Sequence, residues 1–307
     1  MNLFKKIRNN PTKLVFNVFF RIPPLGRCLP DKTYLKLQYQ SAFGRKLNLD
    51  APQTFNEKLQ WLKLYDRRPD YCTLVDKAAV KAYVAERIGA EYVIPTLGVW
   101  EDPEQIDFST LPERFVLKCT HDSGGVVICA DRSQFDPKAA KKRLKRSLHT
   151  NFYDMGREWP YRDVPPRILA EPYLSDHSGE DGGGLMDYKV HTFHGVPRVI
   201  LTCRNRHQAL QEDFFDPQWR HLEIRRPLHE NSPEPIARPK NLERMLHFAA
   251  LLAEDIPFAR VDFYEIDGRL YFGEITLYPG SGLIAFEPES ADWELGQWIE
   301  LPGTGRE

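Results

Sequence analysis

Ala259-Arg260-Val261-Asp262-Phe263-Tyr264-Glu265-Ile266-Asp267-Gly268-Arg269-Leu270-Tyr271-Phe272-Gly273-Glu274-Ile275-Thr276 reads as two alternating, aromatic-rich runs joined at Asp-Gly, a strong hairpin signal. Strand side chains alternate faces, so the turn length decides which of them meet. A two-residue Asp267-Gly268 turn sets Asp262 opposite Gly273 and away from Glu274. A three-residue Ile266-Asp267-Gly268 turn sets Arg260 opposite Glu274, with Asp262 diagonally beside it. That second register is the expectation here. It gathers Arg260, Asp262, Glu274 and Thr276 on one face and leaves Val261, Phe263, Tyr271, Ile275 and Leu277 on the other, so that only apolar groups are buried. Two carboxylates with an arginine between them suit magnesium and phosphate, because Mg²⁺ takes few carboxylates and fills its other positions with water and phosphate oxygens. The turn Tyr278-Pro279-Gly280-Ser281-Gly282 follows at once, and its backbone N–H groups suit an anion.

The 307 residues hold 42 Lys+Arg against 43 Asp+Glu, a net charge of −1, so no global field attracts nucleic acid. The total hides a split. The first 47 residues carry ten basic residues and one acid, and the remainder is net −10. With 42% hydrophobic and 28% charged residues, the composition is that of a globular chain. No apolar run approaches the length of about eighteen residues that a membrane span needs. The five cysteines are scattered and form no C-x-x-C pair, which argues against a zinc site or a disulfide frame. The expectation is a cytoplasmic protein that partners no nucleic acid. Residues 1–30 form a basic amphipathic arm that suits either an anionic membrane face or the protein's own body.

Along the chain, Thr54 and Glu57 form a capping box ahead of a helix, and a further helix spans Lys77–Ile88 and ends at Gly89. Tyr92–Pro95 and Phe115–Cys119 read as strands, and the polar loop Thr120–Gly125 leads to a strand at Val126–Cys129. A basic helix covers 137–149, and a flexible loop covers 178–184. Asp187–Phe193 and Arg198–Cys203 pair across His194-Gly195, and a last helix runs Leu242–Glu254. The phosphate-loop patterns G-x-x-x-x-G-K-[ST] and G-x-G-x-x-G are absent. Lysines that could meet phosphate are present instead: Lys77 at a helix start, Lys118 at a strand end before Gly124-Gly125, and Lys189 on a strand.

In this order the blocks resemble the ATP-grasp superfamily and, within it, the TupA-like family tied to teichuronopeptide and capsular polysaccharide biosynthesis. The blocks are Phe55–Asp66, Asp76-Lys77, Val116–Gly125, Gly156–Tyr161, Ile168–Leu174, Asp187–Lys189, Gly273–Thr276 and Pro279–Gly282. The resemblance implies an α+β ATP-grasp fold, with a nucleotide between two α+β subdomains and an N-terminal helical region. The expected division is an arm at 1–30, a substrate-side region at 31–112, a small subdomain at 113–175 and a large, metal-binding subdomain at 176–307. ATP and Mg²⁺ are the implied cofactors. Lys77, Lys118 and the loop His121, Asp122, Ser123, Gly124 and Gly125 are implied to hold the phosphates. Glu171, Tyr173 and Leu174 would read adenine, and Asp187 and Lys189 would lie by the ribose and phosphates. Asp262, Glu274 and Thr276 would hold the metal, with Arg260 and Lys189 as the catalytic cations. Most of the superfamily has asparagine where Thr276 stands, and Pro172 removes one hinge N–H.

The implied reaction joins a carboxylate to an amine through an acyl phosphate, its substrates an amino acid and a carboxylate-bearing glycan precursor such as a uronic acid. Arg204, Arg206, Gly280, Ser281 and Gly282 are candidates for substrate contact. A glycosyltransferase of polysaccharide assembly and a nucleotide-binding module without catalysis are the competing classes. The absence of a D-x-D motif opposes the first, and retention of Asp262, Glu274, Lys118 and Lys189 opposes the second. If the arm serves a membrane, deleting residues 1–28 abolishes sedimentation with anionic vesicles and spares ATP turnover. Undiminished sedimentation of the truncated protein would exclude that role.

Overall fold

The computed structural model describes residues 26–175, 185–204 and 210–303. The N-terminal arm up to residue 25, the loop expected at 178–184 and Arg206 lie outside the described residues. Helices α1 (Asp31–Phe43) and α2 (Phe55–Tyr65) open the described chain, followed by α3 (Tyr71–Val75) and α4 (Val80–Ile88). The capping box of α2 forms: Thr54 accepts from the Glu57 N–H, and the Glu57 carboxylate accepts from the Thr54 N–H. Helix α4 begins three residues later than expected, because Asp76 Oδ1 caps the turn at Ala78 and Ala79 instead. Tyr92–Pro95 is not a strand. Ala90–Tyr92 is a single 3₁₀ turn, and Val93 makes one bridge, to Phe272. No helix of the described residues is long and apolar enough to cross a membrane.

Two antiparallel sheets follow. The smaller orders its strands β1-β4-β2-β3, with β1 at Gly98–Trp100, β2 at Phe115–Cys119, β3 at Val126–Cys129 and β4 at Ile168–Pro172. Its inner face (Phe115, Leu117, Cys119, Ile168, Ala170) packs on Leu144 of the basic helix α5 (Pro137–Leu148), while alternation turns Val116, Lys118, Leu169 and Glu171 to the opposite face. Helix α6 (Tyr153–Gly156) then leads toward β4.

The larger sheet runs β10-β9-β5-β6-β7-β8, with β5 at Asp187–Phe193, β6 at Val196–Arg204, β7 at Gln211–Phe215, β8 at His221–Leu222, β9 at Ala259–Ile266 and β10 at Arg269–Thr276. Helix α7 (Leu242–Leu252) covers one face, packing Met245, Ala249 and Leu252 into the principal core with Val190, Ile200, Val261 and Phe263. Helix α8 (Ser290–Gln297) lies against α2, with Gly296 so close that a Cβ would sit 2.2 Å from the Gln53 carbonyl oxygen. The molecule is an α+β protein with N-terminal helices.

The decisive hairpin differs from the expected register. Its turn has two residues, Asp267 and Gly268, at φ 50° and 76°, the backbone of a tight hairpin turn. Arg269 therefore pairs with Ile266, and Phe272 with Phe263. A bulge at Gly273 then shifts the pairing, so that Glu274 lies directly opposite Asp262 and Thr276 opposite Arg260. The polar face is the expected one, reached by a bulge rather than a longer turn. The two-residue turn also corrects one apolar assignment: Phe272 is buried beside Phe263, while Tyr271 pairs with Tyr264 on the other face. A Cβ on Gly273 would press on the Asp262 carbonyl oxygen and the Tyr264 ring, each at 3.1 Å. Gly273→Val should lower the unfolding free energy by about 1–3 kcal/mol, read by urea denaturation. A wild-type midpoint would show that the bulge does not depend on glycine.

Candidate functional site

The polar face of the large sheet carries a row of charge. Arg260 donates from Nε to Asp262 Oδ1 at 2.7 Å and from Nη2 to Asp262 Oδ2 at 2.7 Å, Glu274 Oε1 at 2.9 Å and Thr276 Oγ1 at 3.0 Å. Lys189, paired in register with Asp262 on β5, donates to Asp262 Oδ2 and has Asp187 Oδ2 3.5 Å away. Burial pushes the Asp262 carboxyl up, yet Arg260 and then Lys189 outweigh it and hold the group below the usual carboxylate range. Asp262 is buried, whereas the Glu274 side chain is 42% exposed and open to an incoming ligand. His191 stands next in the row, opposite Arg260. Its pKa falls to about 3, first through burial and then through the charge of Arg260. Its Nδ1 lies 3.1 Å from the Lys189 carbonyl oxygen, which can only accept, so the neutral ring presents Nε2 as an acceptor.

The small sheet and helix α4 each supply a cation. Lys118 and Lys81 each place Nζ 2.6 Å from one oxygen of the buried Glu171. Burial would raise the Glu171 pKa, but the two lysines overcome it and lower the value. Glu171 is thus the carboxylate that neutralises both lysines. Lys81, absent from the expected site, stands four residues after Lys77 in the first turn of α4. Lys77 itself donates to the Asp122 carbonyl oxygen and, from its backbone, to Thr120 O at 3.2 Å.

The loop after β2 is built from inside. Asp122 Oδ1 accepts from the Gly125 N–H at 3.1 Å, and Oδ2 accepts from Ser147 Oγ on α5. A Cβ on Gly125 would meet Ser147 Oγ at 2.2 Å, so this close approach requires glycine. His121 is buried with Nε2 aimed at the Ser147 and Thr150 carbonyls, and its ring anchors the loop rather than facing its tip. Ser123 and Gly124 are exposed at that tip. The phenol of half-buried Tyr161 is pushed well up, chiefly by burial. Beyond β4, the Tyr173 N–H donates to Arg114 O at 3.3 Å, with the Arg114 guanidinium 5.0 Å from the Tyr173 ring centre, and Leu174 is half-buried. Arg204 bonds Gln211 and Ser232, one residue past Cys203 and so on the other face of β6 from Lys189.

After β10, Gly280, Ser281 and Gly282 turn with φ of 55°, 58° and 62°, a run that costs a non-glycine residue conformational energy. Helix α2 holds it. Gln60 Nε2 donates to Ser281 O at 2.9 Å and Gly282 O at 2.7 Å, and the buried Lys63 Nζ donates to Ser281 O at 2.7 Å, Ser281 Oγ at 2.9 Å and Gly156 O at 2.8 Å. Burial draws the Lys63 ammonium down to about 8, opposed by Glu158. The neighbouring residues of α2 clasp the same region: Asn56 bonds Ile284 and Asp292, and Lys58 bonds the Gly296 and Ile299 carbonyls. The block Phe55–Asp66 thus serves to hold the segment that follows β10.

The sequence profile of the family described as TupA-like ATPgrasp matches residues 57–300. The chain belongs to that family. No curated protein matches it in sequence. Among solved structures, this TupA-like ATP-grasp protein is similar to the D-alanine–D-alanine ligase of Helicobacter pylori, at 14% identity and a TM-score of 0.44 over 80% of this chain and 69% of that one. The enzyme of the same name from Bacillus anthracis, solved with ATP, gives 17% identity and a TM-score of 0.42 over 74% and 63%. The ATP-grasp ligase PsnB, solved with a precursor variant, Mg and ADP, gives 13% and 0.36 over 72% and 56%. Likenesses of this size assign no residue roles, so the roles below rest on this chain's own geometry.

Among the described residues no group of three or more His, Cys, Asp or Glu side chains is arranged to hold a metal. The donors that fit magnesium are Asp262, Glu274 and Thr276, hard oxygen ligands gathered on one face, few enough to leave positions for phosphate and water. Lys63→Met would leave the Gly156 and Ser281 carbonyls short of a buried donor and should cost at least about 2 kcal/mol, measured by urea denaturation. A wild-type midpoint would show that the 280–282 turn holds without it.

Proposed function

We propose that this TupA-like ATP-grasp protein is an ATP-dependent carboxylate–amine ligase that joins an amino acid to a uronic acid or a similar cell-surface glycan precursor. The observation that carries the reading is the facing of Asp262 and Glu274 across the Gly273 bulge, with Arg260 bonded to both and Lys189 to Asp262. Such a cluster is costly as a mere scaffold. A buried carboxylate with two cations loses its hydration and repays it only through their mutual attraction. A polyphosphate gives those cations a second partner.

In this reading a substrate carboxylate oxygen bonds to the γ-phosphorus as the bond to the ADP oxygen breaks. An amine then bonds to the acyl carbon, phosphate leaves and the amine gives up a proton. Lys77, Lys81 and Lys118 bind phosphate oxygens as Glu171 yields its hold on the last two. Arg260 offsets the charge that develops on the transferred group. The exposed tip at Ser123 and Gly124 closes over the site and keeps water from the acyl phosphate. Magnesium, held by Asp262, Glu274 and Thr276 when bound, supplies further neutralisation of phosphoryl oxygens.

The test measures ADP and phosphate release by the full chain with Mg²⁺, ATP and pools of amino acids and uronic acids. Release should need both pools, and Asp262→Asn and Glu274→Gln should each reduce it by about a hundredfold or more. Glu274→Gln, at a half-exposed site, should keep the wild-type melting temperature. Hydrolysis of sugar nucleotides with ATP left intact would sink the ligase reading.

A further inference from the structure

Helix α5 gathers charge opposite in sign to that of the rest of the chain. It holds six basic residues, Lys138, Lys141, Lys142, Arg143, Lys145 and Arg146, and no acid, which leaves −7 for all other residues together. Among the described residues, Lys141 pairs with Glu104 at 2.8 Å, and Arg143 donates to the Gly124 carbonyl oxygen at 3.3 Å. Lys138, Lys142, Lys145 and Arg146 are exposed, and none of them meets a carboxylate of the described residues.

Steps of four and three residues set Lys138, Lys142 and Lys145 one behind another on the outer side of the helix, and Arg146 flanks them. The line advances by about 5 Å per lysine, close to the length of one sugar unit. It works against the helix that carries it. Like charges at these spacings destabilise a helix, and Lys138 stands in the first turn, where the helix dipole disfavours a cation. The inner side of α5 is already taken, with Ala140 and Leu144 buried and Leu148 packed on the small-sheet core. A helix that lies in a membrane surface needs an apolar side to insert, and α5 has none to spare. It carries no aromatic side chain either, the platform on which single-stranded nucleic acid stacks. At its C-terminal end the helix supports the loop 121–125. Ser147 Oγ donates to Asp122, Arg143 holds the Gly124 carbonyl, and the Ser147 and Thr150 carbonyls hold His121. The line of lysines therefore leads to the loop that the ligase reading sets over the phosphates.

We propose that the outer face of α5 is a docking track for a linear polyanion with a carboxylate on each unit, a polyuronate chain, whose successive units meet Lys138, Lys142 and Lys145. The assignment rests on the ligase reading and deepens it: the carboxylate-bearing glycan is taken as a polymer and held beside the loop. A single uronic acid offers one charge and gains little from three cations in a row. A chain meets all of them at once and relieves their mutual repulsion. The counterions it displaces make its affinity fall as salt rises, as for other polyelectrolytes.

Fluorescence anisotropy of an end-labelled oligogalacturonate, long enough to span the line, tests it with the full chain. Binding should saturate, weaken with salt and resist competition by monomeric D-galacturonate. Lys138→Gln, Lys142→Gln and Lys145→Gln combined should weaken it about tenfold or more. The same variant should keep or raise the melting temperature, since it removes repulsion along the helix. Arginine at the same three positions should retain binding. Equally tight binding of single-stranded DNA of matched charge would reveal a generic cationic surface, and displacement of the oligomer by phosphatidylglycerol vesicles would reveal a lipid-binding one. Either result overturns the assignment, as does a triple glutamine variant that binds like the wild type. If the oligomer binds through the three lysines but releases no ADP with any amino acid, the track stands and the ligase reading falls. If monomeric uronate supports ADP release and the oligomer does not bind, the ligase reading stands and the track falls.

Discussion

A buried carboxylate in the middle of a sheet is the constraint around which the molecule is arranged. Asp262 cannot ionise there unless cations come with it, and two do, Arg260 from its own strand and Lys189 from the strand beside it. Those cations need partners in turn, and the Gly273 bulge brings Glu274 directly across from Asp262 to share Arg260. One charge thus draws in three further side chains, Arg260 on its own strand, Lys189 on β5 and Glu274 on β10. The small sheet repeats the scheme in reverse, with Glu171 between Lys118 and Lys81. In both places the buried charges are neutralised within the protein.

Helix α2 supports this site although it carries none of the charges that pair there. Helix α2 spends Asn56, Lys58, Gln60 and Lys63 on the backbone that follows β10. A run of left-handed residues such as 280–282 does not persist without external donors, and Gln60 and Lys63 supply them from a rigid helix. Gly156 approaches the same turn so closely that a Cβ there would sit 2.2 Å from Ser281 Oγ. Three segments far apart in the chain therefore meet at one turn.

Much of the site was legible because its signals are local. Alternation along 259–276 identified the carboxylate face, the spacing of Thr54 and Glu57 identified a helix start, and Asp122 ahead of Gly124-Gly125 marked a loop. The misreadings were also local in origin. A three-residue turn is expected because it buries only apolar groups, whereas a two-residue turn with a bulge brings Glu274 to the same polar face, and Gly273 is its only local trace. Lys81 escaped because its partner, Glu171, lies far along the chain. Nothing in the spacing of Lys81 and Glu171 says that a helix and a strand will meet.

The sequence by itself determined which residues carry charge, where strands alternate and where backbones turn, because those properties reach only a few residues along the chain. It determined the polar face and its members. Only the tertiary structure decided which cation neutralises which carboxylate and that His121 anchors a loop instead of tipping it. Pairing of buried charges depends on which elements pack together, and that choice belongs to the whole core.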